Sequence, residues 1–211
     1  MNAITFAQIK ERGKEARREL ILASALKLFS EHDFAGVTVR DIAREAGVSP
    51  GTIYRYYENL DALFLDAFFV GARELARLIE EELQKDSGCS ITRLCELYII
   101  YLNDELSFYR MMGHFMLGGK LSPGATEELN PVMRSLIDIV EKVLIKAGYP
   151  DNQKETRFFA HALFSSLNGL MISYARYPGR SLEDIKRHTV RLSAVISALF
   201  EAKICETKNN L

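Results

Sequence analysis

Apolar residues recur every three or four positions along most of the chain, the spacing of an amphipathic helix and not the alternation of a strand. Ile21, Leu22, Ala25, Leu26 and Phe29 form one such stripe, with Glu19, Lys27 and Glu31 off it. Phe34 and Val37 follow a break at Asp33. The pattern then predicts a short helix from Thr38 to about Ala46, a second from Ser49 to about Tyr57, and a long helix from about Asn59 to Leu83. Gln84 to Ser90, with Gly88, reads as a linker. Further helices are predicted at about Ile91–Glu105, Leu106–Leu117, Pro131–Ala147, Lys154–Tyr177 and Leu182–Ile204. Whether residues 124–130 extend the helix that follows them across Pro131 stays open. The expected fold is all-α with about nine helices: a three-helix N-terminal domain over 1–58, a larger helical domain over 59–205, and a disordered tail over 206–211.

The stretch from Val37 to Phe64 has the most explicit local grammar. Thr38 is placed to cap the first short helix, with Asp41 three residues on as an imperfect capping box. Ile42 and Ala46 face inward, and Gly47 closes the helix through a left-handed backbone. Ser49 caps the next helix at once, and Pro50 fits a first turn whose N–H needs no partner. Two short helices joined by a tight turn make a helix-turn-helix, with the Ile21–Phe29 stripe as its third wall. Ile53 and Tyr57, four apart, face the core. The second helix then presents Ser49, Gly51, Thr52, Tyr54, Arg55 and Tyr56. Hydroxyls and backbone N–H groups suit phosphates, and an arginine suits a guanine edge or a phosphate. Tyrosine offers a ring to thymine methyls, and Gly51 lets the backbone approach closely. With Thr38 and Arg40 these form the candidate DNA-binding set. Two short helices around a glycine turn also occur in enzymes and bundles, so spacing alone leaves a purely structural reading open.

Bulk charge neither helps nor excludes this reading. The formal net charge is −1, and residues 1–60 carry 9 Lys/Arg against 8 Asp/Glu. A nucleic-acid partner must therefore be recognised by where charges sit. Lys10, Arg12, Lys14, Arg17 and Arg18 precede the first stripe and alternate with Glu11, Glu15 and Glu19. An arm reaching DNA and an ordinary solvated helix both fit. The three cysteines form no CxxC pair and the four histidines no HExxH pair, so no disulfide framework, metal or other cofactor is expected. No nucleophile motif, carboxylate pair or glycine-rich phosphate loop marks an enzyme. Met1 to Arg18 has no sustained apolar run, so a signal peptide is not expected. The most apolar stretch, Phe158 to Ala175, is interrupted by His161, Ser165, Ser166, Asn168, Gly169 and Ser173. It reads as a buried helix and not a membrane span, and a cytoplasmic protein is the expectation.

Residues 20–64 resemble the N-terminal domain of the tetracycline-repressor (TetR) family. The resemblance rests on Ile21 through Phe29, Thr38, Ile42-Ala43, Ala46-Gly47-Val48-Ser49, Gly51 through Tyr57, and Leu63-Phe64. It implies an all-helical homodimer that binds a palindromic operator, usually represses, and releases DNA when a small molecule occupies the C-terminal domain. Two positions depart from the family's habit: Asp33 stands where glycine is common, and Leu60 where lysine commonly touches phosphate. The Tyr98–Leu117 region is rich in Tyr, Phe and Met, which suits a mostly apolar effector. Tyr98, Tyr109, His114 and Phe115 are its candidate ligands, and a solid core is the alternative. The last two long helices are apolar on more than one side, so Phe164, Leu167, Met171, Val195 and Leu199 are the candidate dimerisation residues.

Overall fold

The helical spacing is realised throughout, and local caps decide where each helix begins. The computed structural model describes residues 5–85, 89–117, 121–150 and 153–209, apart from the side chains of residues 7, 35, 153 and 205–209. Among the described residues there are nine α-helices, one 3₁₀ turn and no strand. They are α1 (Phe6–Glu31), the 3₁₀ turn (Phe34–Gly36), α2 (Val39–Glu45), α3 (Pro50–Ile53), α4 (Leu60–Gln84), α5 (Ile91–Asp104), α6 (Leu106–Met116), α7 (Pro123–Ala147), α8 (Gln153–Tyr174) and α9 (Leu182–Asn209).

Three helices extend well beyond what their apolar pattern marks. The first helix starts at Phe6, well before its apolar stripe, because Thr5 and Gln8 form a capping box: the Thr5 N–H donates to Gln8 Oε1 at 2.8 Å. The question at Pro131 resolves as one continuous helix, α7, with Pro123 at its start and Pro131 inside it. Pro131 removes one internal hydrogen bond without ending the helix. The last helix runs past Ile204 to Asn209, through Glu and Lys residues of good helix propensity.

The chain packs as two compact units. The first takes the chain up to Val70 together with Ser107–Glu127; the second takes Gly71–Leu106 and the chain from Glu128 on. The core of the first unit is aromatic. Phe64 of α4 meets Phe29 edge-on with centroids 5.3 Å apart, Phe34 at 4.0 Å and Phe115 at 5.2 Å, and Phe68 stacks on Phe108 at 5.0 Å. Burying one such ring contributes on the order of 2–3 kcal/mol. In the second unit α5 packs against α8 and α9, with Leu94, Ile99 and Leu102 fully buried. Polar groups inside this layer are paired, as burial demands. The Tyr98 hydroxyl donates to Asn168 Oδ1 at 3.0 Å, and the Asn103 amide donates to the Ile99 carbonyl at 2.7 Å and to Thr189 Oγ1 at 3.1 Å. Lys146 closes the end of α4 by donating to the Leu83 carbonyl at 2.6 Å.

Candidate nucleic-acid interface

Caps build α2 and α3. Thr38 is extended, and its hydroxyl accepts the Asp41 N–H at 3.3 Å. Asp41 in return accepts the Thr38 N–H at 3.1 Å, so the box closes although aspartate is one methylene shorter than glutamate. The Thr38 hydroxyl and N–H, and then Arg44, hold the Asp41 carboxyl below its usual range. At the end of α2 the Ala46 N–H returns to Ile42 and the Val48 N–H to Ala43, both at 2.9 Å. That reversal needs Gly47 at φ 64°, a backbone that other residues adopt at a cost. Ser49 then accepts the Thr52 N–H at 3.2 Å, with Pro50 at the first helical position.

Helix α3 is short, and the chain from Tyr54 to Tyr57 continues as tight turns. The Arg55 N–H donates to the Thr52 carbonyl at 3.2 Å and the Tyr57 N–H to the Ile53 carbonyl at 3.0 Å. One side of this segment is core: Ile53 and Tyr57 are buried. The other side presents Ser49, Gly51, Tyr54 and Arg55, with Thr52 and Tyr56 half-buried beside them. Tyr54 is 57% exposed, an unusual position for a large ring that the fold does not need. A Cβ at Gly51 would meet only Ser49 Oγ, at 3.8 Å, so no contact within the protein requires glycine there. Thr38 and Arg40 are exposed on the neighbouring helix. The structure thus brings all eight expected residues onto α2, α3 and the turns around them, with the hydroxyls of Thr38 and Ser49 engaged in caps.

Behind this surface lies a network that the sequence pattern did not single out. The Tyr57 hydroxyl donates to Asp66 Oδ2 at 2.7 Å, and Arg18 donates to the same oxygen at 2.8 Å. Burial, reinforced by Asp66, pushes the Tyr57 phenol far above its ordinary value. The trio ties α1, the end of the α3 turn and α4 together. A signal existed: Asp66 is the lone charge in the apolar run from Leu63 to Val70, and a buried tyrosine hydroxyl needs a partner.

Residues 21–67 match the family described as bacterial regulatory proteins, tetR family. Residues 21–67 are thus of the TetR N-terminal type. Family members are DNA-binding regulators of transcription and not enzymes. Solved structures agree in fold across most of this chain. The fatty acid degradation regulator FadR from Bacillus halodurans is 17% identical, with 84% of this chain and 94% of that one covered and a TM-score of 0.66. FadR from Bacillus subtilis in complex with stearoyl-CoA is 15% identical, with 83% and 97% covered and a TM-score of 0.62. NalD, the secondary repressor of the MexAB-OprM multidrug efflux pump in Pseudomonas aeruginosa, is 23% identical, with 86% and 95% covered and a TM-score of 0.60.

The two departures from the family's habit are accommodated locally. Asp33 sits at φ −71° and ψ 142°, an extended backbone open to any residue, so glycine's freedom is not needed here. Leu60 is half-buried at the start of α4, whose first turn is closed by Asn59 Oδ1 accepting the Ala62 N–H at 2.9 Å.

The candidate effector residues are divided between the units. Tyr98 is fully buried in the second, edge-on to Phe164 at 5.7 Å. Tyr109, His114 and Phe115 belong to the first. There His114 packs on Phe34 with centroids 4.7 Å apart, and Phe115 on Phe68 at 4.9 Å, so both line the core beneath the helix-turn-helix. The dimerisation set divides too. Phe164, Leu167 and Met171 are buried within the chain's own core. Val195 and Leu199 are 58% and 68% exposed on α9, and Phe158 and Ile172 are exposed on α8. Sequence periodicity marks these helices as apolar all round but does not say which side the protomer itself uses.

Proposed function

We propose that the protein is a sequence-specific transcriptional repressor that binds a palindromic operator as a symmetric dimer and leaves it when a small, mostly apolar effector binds. The observation that carries this reading is the two-sided α3 segment. Its inner side is buried through Ile53 and Tyr57, and its outer side exposes Tyr54, Arg55 and a bare Gly51 backbone that nothing in the fold requires. In the proposed complex this segment enters the major groove. Tyr54 and Arg55 meet base edges; Thr38, Arg40, Ser49, Thr52 and Tyr56 meet phosphate and sugar, and Gly51 admits the backbone.

Dimerisation is proposed through the exposed face of α8 and α9, with Phe158, Ile172, Val195 and Leu199 at the contact. Phe164, Leu167 and Met171 support that face from behind. The effector is proposed to be an apolar molecule near Tyr98 in the second unit. Support comes from the aromatic and Met-rich composition of the region and from a fold shared with a FadR bound to stearoyl-CoA. His114 and Phe115 pack on Phe34 and Phe64 within the first unit, and with Tyr109 they are proposed to set the stability of the unit that carries α3.

Selection of bound duplexes from a random pool tests the reading. The expected product is a two-fold symmetric site with half-site centres about 34 Å, or a little more, apart. A helical adaptor that binds only protein would enrich no sequence, and that result would remove DNA recognition from the function.

A further inference from the structure

Residues 6–19 form the first half of α1, before the 21–67 segment that matches the family, and they contribute almost nothing to the core. Every described side chain from Phe6 to Leu20 is exposed apart from the half-buried Gly13. Phe6 is 81% and Ile9 57% exposed. The helix is nonetheless specified, by the Thr5–Gln8 box at its start and by the Arg18–Asp66 bridge where it reaches α4. A helix that is capped, anchored and left without a core invites a partner.

The charges on it are sorted. At ~100° per residue, Glu11, Glu15 and Glu19 fall on one face. Phe6, Lys10, Gly13 and Arg17 fall on nearly the opposite one. That second line continues into Ile21, Ser24 and Leu28, which are buried in the first unit. It therefore lies on the side of α1 that the first unit buries further along the helix. Lys10 and Arg17 form no ion pair among the described residues, whereas Lys14 pairs with Glu11 at 3.8 Å and Arg18 with Asp66.

We propose that this line is a second DNA contact, a rigid basic rod that lies along the sugar-phosphate backbone flanking the α3 contact and reads no bases. The proposal rests on the DNA-binding reading above. Lys10 and Arg17 are about two helical turns apart and would each neutralise a phosphate, while Phe6 rests on deoxyribose. Charge complementarity selects the polyanion: the acidic stripe turns away from the proposed duplex, and the unpaired cations turn toward it. A second copy of this chain or an acidic protein would also meet the cations, but α1 belongs to the same compact unit as α2 and α3, which favours the molecule that those helices bind.

The test uses the full chain and a fluorescein-labelled duplex of mixed sequence, titrated over a range of salt. Lys10→Ser and Arg17→Ser should each flatten the salt slope by about 0.9 per subunit. Arg12→Ser, on the outward side of the same helix, should leave it unchanged. The preference for a selected operator over mixed sequence should be unaltered in all three. Equal flattening by all three variants would mean a diffuse charge effect and overturn the proposal. So would unchanged slopes in Lys10→Ser and Arg17→Ser while Tyr54→Ala still loses operator preference, which leaves the α3 reading standing. Loss of binding to anionic phosphatidylglycerol vesicles with no change on DNA would assign the rod to membranes instead. Failure of the unmodified chain to bind any duplex at low salt would defeat both readings together.

Discussion

Asp41 shows how much of α2 rests on one carboxylate. It accepts both the N–H and the hydroxyl of Thr38, and its pKa is lowered mainly by those two bonds. A group whose folded pKa is depressed stabilises the fold above its unfolded value and loses that contribution as pH falls through the folded one. The melting gap between the protein and Asp41→Asn should therefore be full at neutral pH and narrow below about pH 4. A gap that persists unchanged to pH 2 would show that the charge is immaterial. Thiols give a complementary expectation. Burial pushes Cys89 up to about 11 and Cys95 up to about 12, so thiolate is scarce at pH 8. Iodoacetamide should modify neither site in the folded protein and both after denaturation, read by peptide mass. Rapid native labelling would place these thiols at an accessible surface. The caps at Thr38 and Ser49 were legible in the sequence because a cap is decided within four residues. The Arg18–Asp66–Tyr57 network was not, because its partners stand 9 and 48 positions apart and only packing brings them together.

At the scale of elements, α3 divides labour between its sides. Tyr54→Ala and Arg55→Ala should each weaken operator binding by about 1–3 kcal/mol if they touch base edges, with less loss on mixed sequence. Equal loss on both duplexes would make them phosphate contacts. At the start of α4, Leu60→Lys should tighten binding to either duplex and steepen the salt slope by about one charge per subunit. An unchanged slope would keep position 60 away from the backbone. The helices themselves were legible wherever an apolar stripe met a core, as from Ile21 to Phe29. The first half of α1 has no such stripe, and its start is written instead in Thr5 and Gln8. Pro131 left the sequence undecided because proline's lost hydrogen bond can be absorbed in a long helix whose other turns are buried, as α7's are at Leu136, Ile137 and Val140.

For the whole molecule, all-α architecture followed from periodicity, but the grouping of helices did not. That α6 packs beside Phe34 and Phe64 depends on long-range contacts, and no local pattern announces it. The same holds for assembly. Val195→Glu combined with Leu199→Glu should yield a folded monomer by sedimentation, whereas Phe164→Ala should destabilise the fold by about 3–5 kcal/mol. A dimer that survives the double glutamate change would move the interface off α9. In the proposed function the outer side of α3 recognises a DNA sequence. The most direct measurement is a competition titration of a selected palindrome against its scrambled counterpart at one salt concentration, with the protein and with Tyr54→Ala/Arg55→Ala. The expected result is a preference of roughly a thousandfold or more for the palindrome, largely lost in the double variant while scrambled binding persists. Equal affinity for the two duplexes, or a preference that the double variant keeps, would contradict it.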